Sequence, residues 1–257
     1  MSARRTDIEA LRILVCALVV LLHALLIFSP QPFYHLKSPI ISPAAGLLAE
    51  FLRVTTMPLF FLIAGWSAVG SLQRRGPAVF LAERVRRLLT PLVSGMVLVC
   101  PFIKYIELRG GRDLRPAGFR LVAPITEGFL DFLPRFFGRV ASATWSHLWF
   151  LAYLLVISAL LLPLLRKAAR TSVSNRRPQP WIVYLMGLGL ALCVAALNGY
   201  WPYYPNLYRD WNNLAYYGTC FALGAWLAIW PGLEGVFRHQ WPGLLLAAVL
   251  GFLGVAA

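Results

Sequence analysis

The sequence predicts an all-α fold, a polytopic bundle of about seven transmembrane helices. Three observations predict it. Of the 257 residues 59% are hydrophobic, and only 13% are charged. The mean hydropathy is +0.68, outside the usual range of water-soluble globular domains. The apolar residues also gather into continuous runs such as LLVISALLLPLL. Barrel strands would instead alternate over segments of about 10 residues.

A helix needs about 20 mostly apolar residues to cross a hydrocarbon core of about 30 Å. The runs are Leu11–Phe28, Val54–Leu72, Leu88–Ile106, His147–Leu165, Trp181–Leu197, Leu214–Trp230 and Trp241–Ala257. The first exceeds the 7 to 15 residues of a signal-peptide core, and no small-residue cleavage site follows it. It is expected to stay as a spanning helix.

The net charge of +14 falls in the loops, where the positive-inside rule puts it, so nucleic acid is not an expected partner. Arg4 and Arg5, then Arg74, Arg75, Arg84, Arg86 and Arg87, then Arg166, Lys167, Arg170, Arg176 and Arg177 mark three cytoplasmic segments, with the N-terminus inside. The loops holding Lys37 and Arg209 are then external. So is the segment from Glu107 to Ser146, despite Arg109, Arg112, Arg115, Arg120, Arg135 and Arg139. Its PAGFRLVAPITEGFLDFLPRFFGRV stretch reads equally as a re-entrant cover over the outer mouth or as an aromatic belt at headgroup level. After Pro77, the piece carrying Phe80, Leu81, Val85, Leu88 and Leu89 is expected along the inner interface before the third span.

All four cysteines, Cys16, Cys100, Cys193 and Cys220, lie inside runs with no C-x-x-C and no histidine at ligand spacing. They read as small packing residues, with no disulfide and no metal site expected.

Chemistry is suggested at two places. Arg12 and His23 are eleven residues apart, which is about 20° past three full turns, so they share one face of the first helix. His23 lies roughly 16 Å deeper than Arg12. Glu9, one turn before Arg12, can pair with it. Arg12 alone also fits a snorkelling edge residue, and His23 a packed histidine, but ionisable groups inside a span usually face the bundle interior and serve function. The second place is Arg84-Val85-Arg86-Arg87. Residues three apart share a helix face, so Arg84 and Arg87 can grip one phosphate with their guanidinium forks; a positive-inside signal is the alternative. His35 and His147 read as interfacial. No G-x-S-x-G, Walker, H-E-x-x-H or G-x-G-x-x-G motif is present.

Together, E-A-L-R at Glu9–Arg12, the R-x10-H spacing to His23, MPLFFLIAGW at Met57–Trp66 and FLAERVRRLLTP at Phe80–Pro91 resemble membrane-bound acyltransferase family 3. HLWFLAYLL at His147–Leu155 is similar to its glucan-modifying branch. The sequence departs from the family in having Glu9 for Asp, and Ala64-Gly65 for Ser-Gly, so no hydroxyl role falls there. Family members have about ten spans against the seven runs counted here, and the last run ends at Ala257 without flanking charges, so the chain either finishes in the outer interface or is truncated there.

The resemblance implies one membrane domain over residues 1–257 in the bacterial inner membrane. The implied activity is O-acyl transfer from cytoplasmic acyl-CoA, most simply acetyl-CoA, to a hydroxyl of an envelope carbohydrate or lipid-linked acceptor. Carried over residue by residue, His23 would be the base, Arg12 with Glu9 would position the donor or the helix face, and Arg84 and Arg87 would bind CoA phosphates. The rival reading is a transporter whose path is lined by Arg12 and His23. It calls for inverted repeats and broken helices in matching halves, which the sequence does not display.

Overall fold

The computed structural model describes residues 6–115, 118–138, 145–171, 178–198, 200, 206–207 and 209–256, the last four without their side chains. Arg4, Arg5, Arg139, Arg176, Arg177 and Ala257 lie outside them. Nine α-helices account for most of the described chain: α1 Thr6–Phe28, α2 Pro43–Leu98, α3 Cys100–Arg109, α4 Phe129–Phe137, α5 Trp149–Leu160, α6 Leu162–Arg170, α7 Trp181–Asn198, α8 Trp211–Ile229 and α9 Gly232–Ala256. A hairpin of β1 Arg112–Arg115 and β2 Gly118–Leu121 follows α3, paired antiparallel with Asp113 opposite Arg120.

Helix α1 turns an apolar face outward, with Ile13 and Val20 more than 70% exposed, and buries Val15 and Leu22. Leu22 packs with Ala49 and Leu52 of α2. The C-terminal carbonyls of α1 have no partners within the helix. The Lys37 ammonium supplies one, donating to Leu26 O at 2.7 Å and Ser29 O at 2.5 Å. Burial lowers its pKa, as does the nearby Arg112 charge. Ser42 then caps α2 by accepting from Ala45 N at 3.3 Å, with Pro43 in the first turn.

The 56 residues of α2 are two helices joined at Gly76, whose φ of 73° and ψ of 169° are not helical. Arg84 Nη2 lies 3.4 Å from Ala64 O, twenty residues earlier, whereas a straight helix would separate those positions by about 30 Å. The chain therefore doubles back, and the left-handed φ is one that glycine adopts without a Cβ penalty. No separate interfacial helix follows Pro77: residues 77–98 are one helix, with Phe80 and Leu88 in the core beside Phe61 and Val69. The third apolar run continues past Val99 into α3, where Pro101 interrupts the ladder.

The closest packing is between α2 and α8. A Cβ on Gly65 would stand 1.9 Å from Phe221 O, and one on Gly224 would stand 1.9 Å from Leu62 O, so the two backbones touch where each lacks a side chain. Phe61 stacks on Tyr217 at 4.6 Å beside this crossing. Helix α5 joins through a buried polar group: Asp210 accepts from the Tyr153 hydroxyl and from Asn213 Nδ2 at 2.7 Å, while its Oδ1 caps α8.

Among the described residues the apolar runs fall almost wholly on helix, and the all-α membrane fold follows. By length and apolarity α1, α2 and α7 qualify, or up to five spans if α5–α6, bent by 60°, and α8–α9, bent by 117°, each count once. In that count α2 enters as one helix, although the second run and most of the third lie on its two arms, which fold back on each other at Gly76.

The segment from Glu107 to Ser146 begins inside α3, where Glu107 is fully buried, and proceeds through the hairpin to α4. Phe132 and Phe136 of α4 pack on Cys100, so part of its aromatic content is core. All four cysteines are free thiols.

Candidate active site

Two groups of polar side chains lie at opposite ends of α1. At the Arg12 end, a cavity of about 490 Å³ opens between α1, α2 and α5. Arg12, Arg84 and Arg87 all line it, and the fold adds Arg74 and Arg75 from just before the Gly76 reversal. Doubling back at Gly76 brings these five guanidinium groups around one space. Glu83 is the single acid among the lining residues and is ion-paired with Arg75. Arg84 is held over the Phe80 ring at 5.2 Å. Phe60, Phe61, Phe150 and Leu154 form apolar walls. An excess of fixed cations beside apolar surface suits a ligand with anionic groups and an apolar stem. Glu9 is half-buried one turn before Arg12 and is not among the lining residues.

His23 does not line that cavity. It lies about 16 Å along the helix axis, half-buried, among aromatic and histidine rings. Its Nδ1 is 2.7 Å from Val19 O. A carbonyl only accepts, so Nδ1 carries the hydrogen and the neutral ring keeps its lone pair on Nε2. His147 stands edge-on at 5.9 Å between ring centres and Tyr34 at 6.4 Å. Burial pushes the Tyr34 phenol up to about 12, keeping it neutral at any physiological pH.

Next to this pair is a set of residues that sequence reading missed. His35 Nδ1 donates to Glu107 Oε2 at 2.5 Å, and Ser146 Oγ lies 2.8 Å from His35 Nε2. Glu107 Oε1 accepts from Lys104 Nζ and from Leu114 N, each at 2.5 Å. Lys104 also donates to Asp113 Oδ1 at 2.5 Å, and Arg115 Nε to Asp113 Oδ2 at 2.6 Å. Burial alone would raise the Asp113 pKa, but hydrogen bonds and charge from Lys104 and Arg115 outweigh it and leave the carboxyl below its ordinary value. His35 and His147, read as interfacial, are thus brought to within two contacts of His23. Separations of 72 and 111 residues leave no local spacing to find them by. A lysine and a glutamate at the end of the third apolar run were the available signal.

Among the described residues, no three His, Cys, Asp or Glu side chains are arranged to hold a metal ion.

The acyltransferase-domain model of acyltransferase family 3 matches residues 5–257. The chain belongs to that family. Among curated proteins it is similar to glucans biosynthesis protein C of Escherichia coli, in strains SMS-3-5, K12 and O9:H4 HS. Each is 23% identical over 268 aligned residues, covering 98% of this chain and 65% of the relative. The chain thus spans just under two thirds of the length of the curated relatives it matches. No solved structure matches it.

Proposed function

We propose that residues 1–257 form one membrane domain of an O-acyltransferase of the inner membrane, with the N-terminus in the cytoplasm. The donor is cytoplasmic acyl-CoA, most simply acetyl-CoA. The acceptor is a hydroxyl of an envelope carbohydrate, and the name of its relatives points to a glucan. The single observation that carries this reading is the convergence of Arg12, Arg84 and Arg87, joined by Arg74 and Arg75, on one apolar-walled cavity at the basic end of the bundle.

In this reading Arg84 and Arg87 hold the CoA phosphates, and the apolar walls take the pantetheine arm. Arg12, steadied by Glu9, orients the donor where it enters the bundle. His23, deeper along α1, is the base. With Nδ1 committed to Val19 O, its Nε2 is free to take the acceptor hydroxyl's proton as that oxygen attacks the acyl carbonyl. The test is membranes containing the full-length protein supplied with labelled acetyl-CoA and glucan. Label is expected on the glucan as an ester, and its absence sinks the reading. Loss of acyl-CoA binding on Arg84→Ala with Arg87→Ala separates this reading from a transporter, which has no reason to respond.

A further inference from the structure

We propose that Ser146, His35 and Glu107 form a nucleophilic triad in which Ser146 Oγ carries the acyl group between donor and acceptor. The choice of donor and acceptor rests on the acyltransferase reading above; the triad rests on its own geometry.

The geometry is that of an activated hydroxyl. Ser146 Oγ is 2.8 Å from His35 Nε2, and His35 Nδ1 is 2.5 Å from Glu107 Oε2. A carboxylate oxygen accepts, so Nδ1 carries the hydrogen and Nε2 is left to take the serine proton. Glu107 is fully buried, and its other oxygen is held by Lys104 Nζ and Leu114 N, so Oε2 is fixed for the imidazole. Such orientation by a third group is what makes a serine–histidine pair nucleophilic. Ser146 has a φ of 45°, a left-handed conformation costly for a residue with a side chain. It stands where the chain enters the helical turn before α5. A purely structural hydrogen bond would not need this residue strained, nor its imidazole backed by a buried carboxylate.

The site is contiguous with His23. Ser146 Oγ is 3.4 Å from His147 Nδ1, and the His147 ring is 5.9 Å from the His23 ring. In the first half-reaction Ser146 Oγ bonds to the thioester carbonyl carbon and its proton passes to His35 Nε2. The carbon–sulfur bond then breaks, and sulfur leaves as free CoA thiol by taking that proton. In the second half-reaction the acceptor hydroxyl attacks the serine ester and gives its proton to His23 Nε2. The carbon–Oγ bond breaks, Oγ takes a proton from His147 Nδ1, and His23 passes its proton to the other nitrogen of His147, whose exposed ring exchanges with water to regain the Nδ1 hydrogen for the next turnover. Glu107 touches no reacting atom and is a positioning residue.

The experiment uses a fluorophosphonate probe on the full-length protein in membranes, followed by mass spectrometry of the labelled peptide. Probe addition needs no acyl-CoA, so it is read separately from acyl transfer. A phosphonyl adduct is expected on Ser146, absent in Ser146→Ala and slowed about a hundredfold in His35→Gln. Glu107→Gln should slow labelling as well, with Glu107→Asp restoring part of the rate, which a merely structural carboxylate would not do. In Ser146→Cys, alkylation by iodoacetamide should likewise slow when His35→Gln is added, a second readout if the other variants fold poorly. No adduct on Ser146, or one indifferent to His35→Gln, overturns the triad. If Ser146→Ala then still transfers acyl groups, the acyltransferase reading stands without it. An adduct with no acyl transfer has the opposite meaning: the triad stands and the donor reading falls.

Discussion

The two ends of α1 handle charge in opposite ways. Around Arg12, five guanidinium groups line a cavity that contains one carboxylate, Glu83. Around the His23 end, charges are matched: Lys104 lies between Glu107 and Asp113, and Arg115 completes the set. Surplus charge of one sign beside open volume is an arrangement for binding a counter-ion, because the residues lining the cavity do not neutralise it. Matched and buried charge is an arrangement for holding groups still, since pairing offsets the desolvation that isolated buried ions would suffer. The proposed division of labour follows, with recognition of the donor at one end and proton transfer at the other.

The strongest way to break this comparison is His23→Ala. If His23 is the base, acyl transfer should fall by about a hundred- to ten-thousandfold, while acyl-CoA binding, which depends on the other end, should be unchanged. A variant that keeps its transfer rate, or loses binding instead, would erase the distinction between the ends. Next in size is Gly65→Ala. Its Cβ would meet Phe221 backbone, which cannot rotate away, so a loss of about 3 kcal/mol, the upper end of ordinary overpacking, is expected. Thermal unfolding in detergent measures it. Phe61 and Ala64 beside the α2–α8 crossing wall the Arg12 cavity, so acyl-CoA binding should decline with stability, unlike in the His23 variant.

A smaller and more selective effect is expected from Arg84→Ala with Arg87→Ala. Loss of two charge-assisted contacts to phosphate should raise the KM for acyl-CoA by roughly thirtyfold, about 2 kcal/mol. The turnover number should be nearly unchanged, since binding lost equally from ground and transition states alters KM alone. A fall in turnover without a change in KM would move these arginines from the binding end to the chemical one.

What made one end legible in the sequence and the other not is distance along the chain. Arg84 and Arg87 sit three apart on one helix, and Arg12 and His23 eleven apart on another, so helical periodicity alone relates each pair. Periodicity does not relate the pairs to each other; that took the reversal at Gly76, which a sequence reading treats as an ordinary loop glycine. The seven apolar runs were visible because lipid demands long uninterrupted apolarity, but the packing of the second run against the third across Gly76 was not. Gly65 had no readable role until its neighbour Phe221 on α8 was in place. His35, Glu107 and Ser146 come from a loop, a helix end and a turn. They meet only because Lys104 ties α3 to the hairpin and Lys37 ties the loop between α1 and α2 to the end of α1. Nothing local in the chain encodes that meeting.

The smallest expected effect tests whether the matched charges at the His23 end also hold structure. Asp113, in β1 beyond the helical span, has its carboxyl held below the ordinary value of 3.8. For a group whose pKa is depressed on folding, the unfolded chain binds its proton first as pH falls. Its contribution to stability is therefore fully present above about 3.8 and is lost progressively as pH drops below that value toward the folded pKa. The unfolding temperature should accordingly decline below pH 3.8 more steeply in the wild-type protein than in Asp113→Asn, which has no proton to gain there. At neutral pH the variant should be less stable, because Lys104 loses one of its two carboxylate partners. Parallel pH profiles would mean that Glu107 alone balances Lys104 and that Asp113 is a bystander to the charge matching. The steeper wild-type profile would tie the hairpin to the residues that hold His35 beside Ser146.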